Sequence, residues 1–378
     1  MNSAVTVADL RAALSRVIDP ELRLPITELD MVGDVSFFEG TVNAQVKLTV
    51  VGCPASAKIE ADCRAALAGV SGVSEVKVEM TVMTPDERAV LKEKLRAGKP
   101  MKFNPFGPDT LTRVFLIGSG KGGVGKSSVT ANLAVALAAK GLRVGLIDAD
   151  IFGFSIPGQL GITDKPTRVD ELILPPVAYG VKVISIGMFL EKNQPVAWRG
   201  PMLHRAVEQF LTDVYWGDLD VLLVDLPPGT GDVAISLGQL LPTAKSVVVT
   251  TPQVAAAEVA ERSGSVGLQT GQSVFGVIEN MTWLEQPDGS KLELFGAGGG
   301  QAVADRLTAI SGATTPVKVL GQIPISIALR EGSDAGVPVV STHPNDSATI
   351  ALGLVADALA SDKLNLAGRK LNLQPASN

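Results

Sequence analysis

A glycine-rich loop with two lysines is the part of the chain whose residue types and spacing most directly indicate chemistry. Residues 120–127 read G-K-G-G-V-G-K-S and fit the phosphate-loop pattern G-x-x-x-x-G-K-(S/T). The glycines let successive backbone N–H groups turn onto an anion, Lys126 can reach the β- and γ-phosphates, and the Ser127 hydroxyl can ligate Mg²⁺. The predicted nucleotide contacts are Gly118, Ser119, Gly120, Lys121, Gly122, Gly123, Val124, Gly125, Lys126, Ser127 and Ser128.

Aspartates follow two apolar runs further along the chain. Asp148 and Asp150 come after residues 143–147, and Asp225 comes after residues 221–224. Because Mg²⁺ takes few protein ligands and keeps several waters, we predict that Ser127 binds it directly while Asp148 and Asp225 hold its coordinated water. Asp150 is predicted to orient the water that attacks the γ-phosphate. The alternative is that these aspartates only cap the turns after their strands.

Lys121 stands among the glycines of the loop, where it reaches its own phosphates less easily than Lys126. A natural use for such a lysine is to cross a two-fold axis and neutralise charge on the nucleotide of a second copy. This predicts an ATP-bridged homodimer in which Lys121 and Lys126 both act on phosphate during catalysis. A solvated loop lysine is the alternative.

The elements around the loop form a recognisable pattern. The apolar run 114–117 predicts a buried strand, and residues 130–140 predict a helix that ends at Gly141 and presents its N-terminus to the phosphates. Further short apolar runs alternate with helical segments, at residues 143–148, 181–186, 221–225, 246–250, 274–278 and 317–320. This alternation predicts an α/β fold of the P-loop NTPase kind, with a mainly parallel sheet and helices on both faces. The chemical motifs then meet at the carboxyl ends of the strands.

The chain is predicted to have two domains. Residues 1–92 indicate a small, autonomous α+β domain with the order helix, strand, strand, helix, strand. Residues 93–111 concentrate glycine, proline and lysine and predict a linker. Residues 112–360 form the predicted P-loop domain, and residues 361–378 a loose polar tail.

Composition narrows the choice of partners and compartment. The 378 residues carry a net charge of −6, so no general basic field favours a nucleic-acid partner. No window approaches the roughly eighteen continuous apolar residues that span a bilayer, and the first residues lack a basic segment followed by an apolar one. We therefore expect a cytoplasmic protein without a membrane partner. The two cysteines, Cys53 and Cys63, are too few for a disulfide framework and do not have C-x-x-C spacing.

Several motifs together resemble the Mrp-type branch of the MinD/ParA family, deviant Walker ATPases that carry iron–sulfur clusters. They are K-G-G-V-G-K-S, D-A-D-I-F-G-F-S-I-P, W-R-G-P-M, V-D-L-P-P-G-T-G-D and G-V-I-E-N-M, and the resemblance covers residues 111–358. The first domain, with D-P-E at residues 19–21 and T-V-V-G-C-P at residues 49–54, is similar to a small iron–sulfur-assembly domain often fused ahead of such ATPases.

The resemblance implies roles for individual residues and for partners. Lys121 would act in trans, Lys126 and Ser127 would bind phosphate and Mg²⁺, and Asn280 would read the adenine edge with its amide donor and acceptor. The implied activity is slow, Mg-dependent ATP hydrolysis by a homodimer, coupled to binding a 4Fe–4S cluster and transferring it. Iron–sulfur assembly proteins and apoprotein clients are the implied partners.

One departure from the family concerns the cluster. Members that hold a cluster at the dimer interface carry a C-x-x-C pair shortly after the asparagine, whereas residues 282–290 here read T-W-L-E-Q-P-D-G-S. Because clusters are held chiefly by thiolates, a bridging cluster at that place is not expected. Cys53 remains a candidate cluster ligand, with a buried inert cysteine as the alternative, and Cys63 is expected in the core.

Two other functions stay open on the sequence. One is a MinD/ParA-like positioning ATPase that acts on a membrane or nucleoid, although the acidic net charge argues against it. The other is a scaffold that binds nucleotide to regulate partners and carries no cluster.

Overall fold

The structure is a computed structural model that describes residues 5–50, 55–96, 103–151, 153–190, 200–229, 231–312 and 315–362. The elements up to residue 103 are α1 (Val7–Leu14), β1 (Val32–Phe38), β2 (Thr41–Leu48), α2 (Ser56–Ala68), β3 (Glu75–Val82) and α3 (Pro85–Arg96). The elements of the first half of the remaining chain are β4 (Arg113–Ser119), α4 (Lys126–Ala139), β5 (Val144–Asp148), α5 (Ile156–Gln159), β6 (Thr167–Val169), β7 (Leu172–Leu174), β8 (Val177–Ala178) and β9 (Val181–Ser185). They are followed by a 3₁₀ turn (Ile186–Phe189), α6 (Gly200–Thr212), β10 (Val221–Asp225), α7 (Asp232–Leu240), β11 (Lys245–Thr250), α8 (Val254–Gln269), β12 (Ser273–Glu285), β13 (Lys291–Leu292), α9 (Gly299–Ser311), β14 (Lys318–Ile325), α10 (Ile327–Ala335), α11 (Val339–Thr342) and α12 (Ser347–Ala360).

Contacts divide the chain into two compact units. The first unit consists of residues 1–103, 163–177 and 212–217. Its three-stranded sheet has the order β1-β2-β3, in which β1 and β2 are antiparallel and β2 and β3 are parallel. The turn between β1 and β2 is Glu39-Gly40, and both residues have positive φ. The buried positions of β2 alternate along the strand, as expected where one face of a sheet covers a core.

A hairpin from far along the chain completes the core of this first unit. Strands β6 and β7 pair antiparallel, and Val169, Leu172 and Leu174 belong to the same buried cluster as Leu10 of α1 and Ile59 of α2. The expectation that residues 1–92 form an autonomous domain is therefore corrected, because part of their core lies more than seventy residues beyond them. Strands of three residues carry too little pattern to predict this packing from sequence.

The predicted domain limits differ from the observed units in one further respect. Helix α3 (Pro85–Arg96) runs across residue 92, where the first domain is predicted to end. Its sequence, P-D-E-R-A-V-L-K-E-K-L-R, is mostly charged, so it gives only a narrow apolar stripe that includes the buried Leu91. Residues 97–102 of the predicted linker and residues 363–378 of the predicted tail lie outside the described residues.

The second unit contains residues 104–162, 178–211 and 218–378 and is built on a nine-stranded sheet. The strand order is β13-β12-β11-β4-β10-β5-β9-β8, with β14 also pairing with β12. The pairings of β4, β5, β9, β10, β11, β12 and β14 with one another are parallel. Strands β5, β9 and β10 are buried at every position, which requires cover on both faces of the sheet. The predicted α/β architecture is confirmed.

The register of this sheet brings the chemical motifs together. Asp225 at the end of β10 pairs with Asp148 of β5 on one side and with Ile117 of β4 on the other. The glycine loop begins where β4 ends, so loop and both aspartates share one edge of the sheet. Within the described residues, every helix falls short of the length and apolar character that crossing a bilayer requires.

Candidate nucleotide site

The phosphate loop connects β4 to α4 in a conformation that only glycine adopts easily. Gly123 and Gly125 have φ of +78° and +77°, and Gly125 is the residue that precedes the first turn of α4. Since Gly125 has no side chain, nothing from that position caps the first backbone N–H groups of α4. The start of a fourteen-residue helix thus presents free donors and a positive dipole end to an anion.

A cavity of about 390 Å³ lies over the loop, and we call it the phosphate cavity. It is lined by Ser119, Lys121, Gly122, Gly123, Val124, Gly125, Lys126, Ser127, Ser128, Asp150, Gly153, Ser155, Gln159 and Pro228. The structure therefore brings the predicted residues Lys121, Lys126 and Asp150 to one cavity.

Lys126 and Ser127 are held at the floor of the phosphate cavity by Asp225. The Lys126 ammonium donates to Asp225 Oδ2 over 2.7 Å, and the Ser127 hydroxyl donates to the same oxygen over 2.6 Å. Thr130, one helical turn after Lys126, donates to Asp225 Oδ1 over 2.8 Å. Asp225 is 0 % exposed and Lys126 6 % exposed, so the pair is screened from water and its charges are mutually compensated. Sequence reasoning missed Thr130, although its i+4 spacing from Lys126 was a usable signal.

Asp148 organises the loop that follows β5. Its Oδ2 accepts from the backbone N–H groups of Ser155 and Ile156 and from the Ser185 hydroxyl, and its Oδ1 accepts from the Asp150 N–H. Burial and, next, the negative charge of Asp225 raise the pKa of the Asp148 carboxyl to about 7. Asp148 therefore supports the segment that carries Asp150, whose own Oδ1 accepts from the Gly153 N–H over 3.0 Å.

Asn280 lies on β12 and joins the loop to a second cavity. Its side-chain amide donates to the Val124 carbonyl over 2.9 Å and is 3 % exposed. The next residue, Met281, has φ of +60°, and the pairing of β12 with β14 is irregular between Asn280 and Leu284. A Cβ added at Gly125 would overlap the Asn280 amide, so glycine is required there for space as well as for φ.

The second cavity, which we call the apolar cavity, has a volume of about 450 Å³ and shares Gly125 and Ser128 with the phosphate cavity. Its other lining residues are Asn280, Met281, Leu294, Phe295, Pro324, Ile325, Ser326, Leu329, Arg330, Ser333 and Asp334. An apolar cavity with a few polar groups suits a planar base and its sugar. Of these other lining residues, the sequence predicted only Asn280. The walls of the apolar cavity come from three segments, residues 280–281, 294–295 and 324–334, which only the folded chain brings together.

Cys63 is not part of these cavities. Cys63 is buried in the core of the first unit, as expected, where burial raises the pKa of its thiol to about 11. Cys53 lies outside the described residues, as do Trp198 and Thr230 of the motifs above. In the part of the chain that the structure describes, no three His, Cys, Asp or Glu side chains are grouped as a set of metal ligands.

Comparisons with known proteins agree with this arrangement. A family model described as NUBPL iron-transfer P-loop NTPase matches residues 110–360, and one described as iron–sulfur cluster assembly protein matches residues 7–80. The chain is 54% identical to an iron–sulfur cluster carrier protein of Mycobacterium tuberculosis over 370 residues, 97% of each chain. It is 39% identical to one of Synechocystis over 363 residues, 94% of this chain and 97% of that one. A nucleotide-binding protein from Archaeoglobus fulgidus, solved in complex with ADP, is 35% identical with a TM-score of 0.51 and covers 62% of this chain and 93% of its own.

Proposed function

Because the chain belongs to the NUBPL family of iron-transfer P-loop NTPases, we propose that it is an ATP-hydrolysing homodimer that carries iron–sulfur clusters to apoproteins. The proposal that the chain binds ATP rests on the phosphate cavity and the apolar cavity, which share Gly125 and Ser128 as lining residues. Full-length similarity to carrier proteins supports the cluster part.

The nucleotide would lie across both cavities. Its phosphates would take the N–H groups at the start of α4 and the Lys126 ammonium, while the base would enter the apolar cavity beside Asn280. Lys126 would then exchange its bond to Asp225 for a phosphate oxygen, so one buried charge pair is replaced by another. This exchange keeps the cation compensated at each stage.

The donor set around Ser127 fits Mg²⁺. The Ser127 hydroxyl and the Asp225 carboxylate that it touches are hard oxygen ligands of the kind that Mg²⁺ prefers, and Ser127 lines the phosphate cavity. We propose that Ser127 holds the ion and that Asp225 and Asp148 hold its water; bound there, it would neutralise phosphate charge. Asp150, held by the Gly153 N–H at the cavity wall, would orient the attacking water, and Lys121 would act on the nucleotide of the second copy.

The cargo cluster would have few protein ligands in this chain. The whole sequence contains two cysteines, and the buried Cys63 with its raised pKa is a poor thiolate. One cysteine per chain, Cys53, gives a homodimer two thiolates, whereas a cluster usually takes four. We propose that the cluster is held through Cys53 and that the remaining ligands come from small thiols or from a partner protein. Loading should therefore be labile.

The ATPase proposal is tested with Lys126→Ala. ATP turnover in the presence of Mg²⁺ should fall by at least about 100-fold, because the variant loses the cation that meets the phosphates. The matched control is Lys140→Ala at the other end of α4, whose ammonium pairs with Asp357 on the surface and which should keep wild-type turnover. Equal turnover by the Lys126→Ala variant and the wild type would contradict the proposal.

The cluster proposal is tested by anaerobic reconstitution with iron and sulfide, in which the visible absorbance of the thiolate-bound cluster measures loading. The wild type should load weakly and lose the cluster on gel filtration, Cys63→Ala should behave like the wild type, and Cys53→Ala should not load. Stable loading of a variant that lacks both cysteines would exclude thiolate ligation.

A further inference from the structure

Helix α8 supports the first half of the phosphate loop at three successive points. Ser263 lies close to Gly118, and the backbone of Val259 and Ala260 lies against Gly120, where an added Cβ would overlap it. At the N-terminal end of α8, Gln253 reaches Lys121. The contacts move toward the N-terminus of α8 as the loop runs from Gly118 through Gly120 to Lys121. The position of this helix therefore fixes the position of the Lys121 backbone.

The contact at the end of α8 involves the side chain of Lys121 itself. Its ammonium donates to Gln253 Oε1 over 2.9 Å. Gln253 is the residue that precedes the first turn of α8, but its side chain makes no capping hydrogen bond to the helix. Its Oε1 atom accepts the hydrogen bond from Lys121 instead. The backbone of Lys121 is held as well, because Ser119 Oγ donates to the Lys121 carbonyl over 3.1 Å.

This acceptor is a neutral amide. An ammonium bound to an amide oxygen is held less firmly than one bound to a carboxylate, because only one of the two groups carries a charge. Lys126 in the same loop shows the contrast, since it pairs with the carboxylate of Asp225. Lys121 is therefore positioned by a bond that a phosphate group can replace.

We infer that Gln253 is a positioning residue that holds Lys121 within its own chain and releases it to the phosphates of a second copy. The inference rests on the proposed ATP-bridged homodimer. The intrachain bond and the contact across the dimer use the same ammonium and exclude each other, so the strength of the Gln253 contact sets how readily the dimer forms.

Two substitutions of similar size change this contact in opposite directions. Gln253→Glu turns the amide into a carboxylate and strengthens the intrachain bond, whereas Gln253→Met removes the acceptor and keeps the length of the side chain. Full-length protein with Mg²⁺ and a non-hydrolysable ATP analogue is titrated by sedimentation velocity to find the protein concentration at half-dimerisation. ADP binding by calorimetry, which needs a single chain, and the melting temperature serve as controls.

We expect Gln253→Glu to raise the half-dimerisation concentration by about tenfold and Gln253→Met to lower it several-fold. ADP affinity should stay within about twofold of the wild type in both variants, because Lys126 and the start of α4 are untouched. A purely structural role for Gln253 would shift both variants in the same direction together with the melting temperature, and that result would overturn the inference.

The failure of the inference can be told apart from failure of the proposed function. A wild type that dimerises with the analogue, accompanied by variants that dimerise equally well, overturns the role of Gln253 alone. A wild type that stays monomeric with the analogue while it binds ADP overturns the ATP-bridged dimer, and the role of Gln253 falls with it.

Discussion

Two buried reactive side chains of this chain differ in the groups that surround them. Lys126 is 6 % exposed, donates to the buried Asp225 carboxylate and lines the phosphate cavity, where it can meet an anion. Cys63 is 0 % exposed, and burial together with the negative charges of Asp62 and Glu60 raises the pKa of its thiol to about 11. The neighbouring groups therefore make the buried Lys126 available to an anion and make the buried Cys63 a poor nucleophile.

We predict that Cys63 does not react with thiol reagents in the folded protein. In a Cys53→Ala variant, where Cys63 is the remaining thiol, a disulfide reagent at about pH 8 should modify the protein only after urea unfolds it, because the native thiolate fraction is about one in a thousand. The wild type reacted under the same conditions is the control for Cys53. Rapid native modification of the variant would contradict the buried position of Cys63.

The raised pKa of Cys63 also gives a pH dependence of stability. Between about pH 9 and 11 the unfolded chain has lost the Cys63 proton while the native chain, with its pKa of about 11, retains it, so stability falls as the pH rises. The fall in the urea midpoint over this range should be smaller in Cys63→Ala than in the wild type.

At the scale of elements, the buried strands were predictable and the irregular ones were not. Strands β4, β5, β10 and β11 begin and end within two residues of the predicted apolar runs, because a strand covered on both faces must be apolar throughout. Strand β12 extends to Glu285 and pairs antiparallel with β13, beyond the predicted end at residue 278, because residues 279–285 mix polar with apolar side chains and give no continuous apolar run. The walls of the apolar cavity could not be predicted either, since non-local packing assembles them.

We predict that the close packing of α8 on the phosphate loop makes Gly120 irreplaceable. The Cβ in Gly120→Ala would overlap helix backbone at Val259 and Ala260, so loop or helix must move, at a cost of about 1–3 kcal/mol in the free energy of unfolding. ADP binding measured by calorimetry should be lost or strongly weakened. For the stability measurement, the matched control is Gly122→Ala two residues away, where an added Cβ meets nothing within 4 Å. Equal melting temperatures for the two variants would argue against the contact.

At the scale of the whole molecule, neither unit is a continuous stretch of chain. The first unit takes residues 163–177 and 212–217 from within the sequence of the second. The inserted hairpin is fixed by more than its apolar residues: Thr167 donates to the Glu21 carboxylate over 3.4 Å, and Lys92 lies 3.6 Å from Glu171. The sequence predicted a small first domain and a P-loop domain, but the motifs of neither gave any sign that residues 163–177 and 212–217 belong to the first unit.

We predict that Leu174→Ala loosens helices that are distant in sequence. Leu174 is 1% exposed in the core of the first unit, and the substitution should destabilise that unit by about 2–5 kcal/mol. Hydrogen exchange of peptides from α1 and α2 should accelerate in the full-length variant. The matched control is Leu292→Ala, whose side chain is 47% exposed and which should leave this exchange unchanged. Protection of α1 and α2 equal to the wild type would show that the hairpin is dispensable.

The inserted hairpin also limits how such a gene can be recombined. A hybrid that joins a different first domain at residue 103 would keep Val169, Leu172 and Leu174 without the buried residues that they pack against. Three separate stretches would have to be exchanged at once to transplant the small unit intact. Replacing residues 1–103 alone would therefore leave the core of the small unit incomplete.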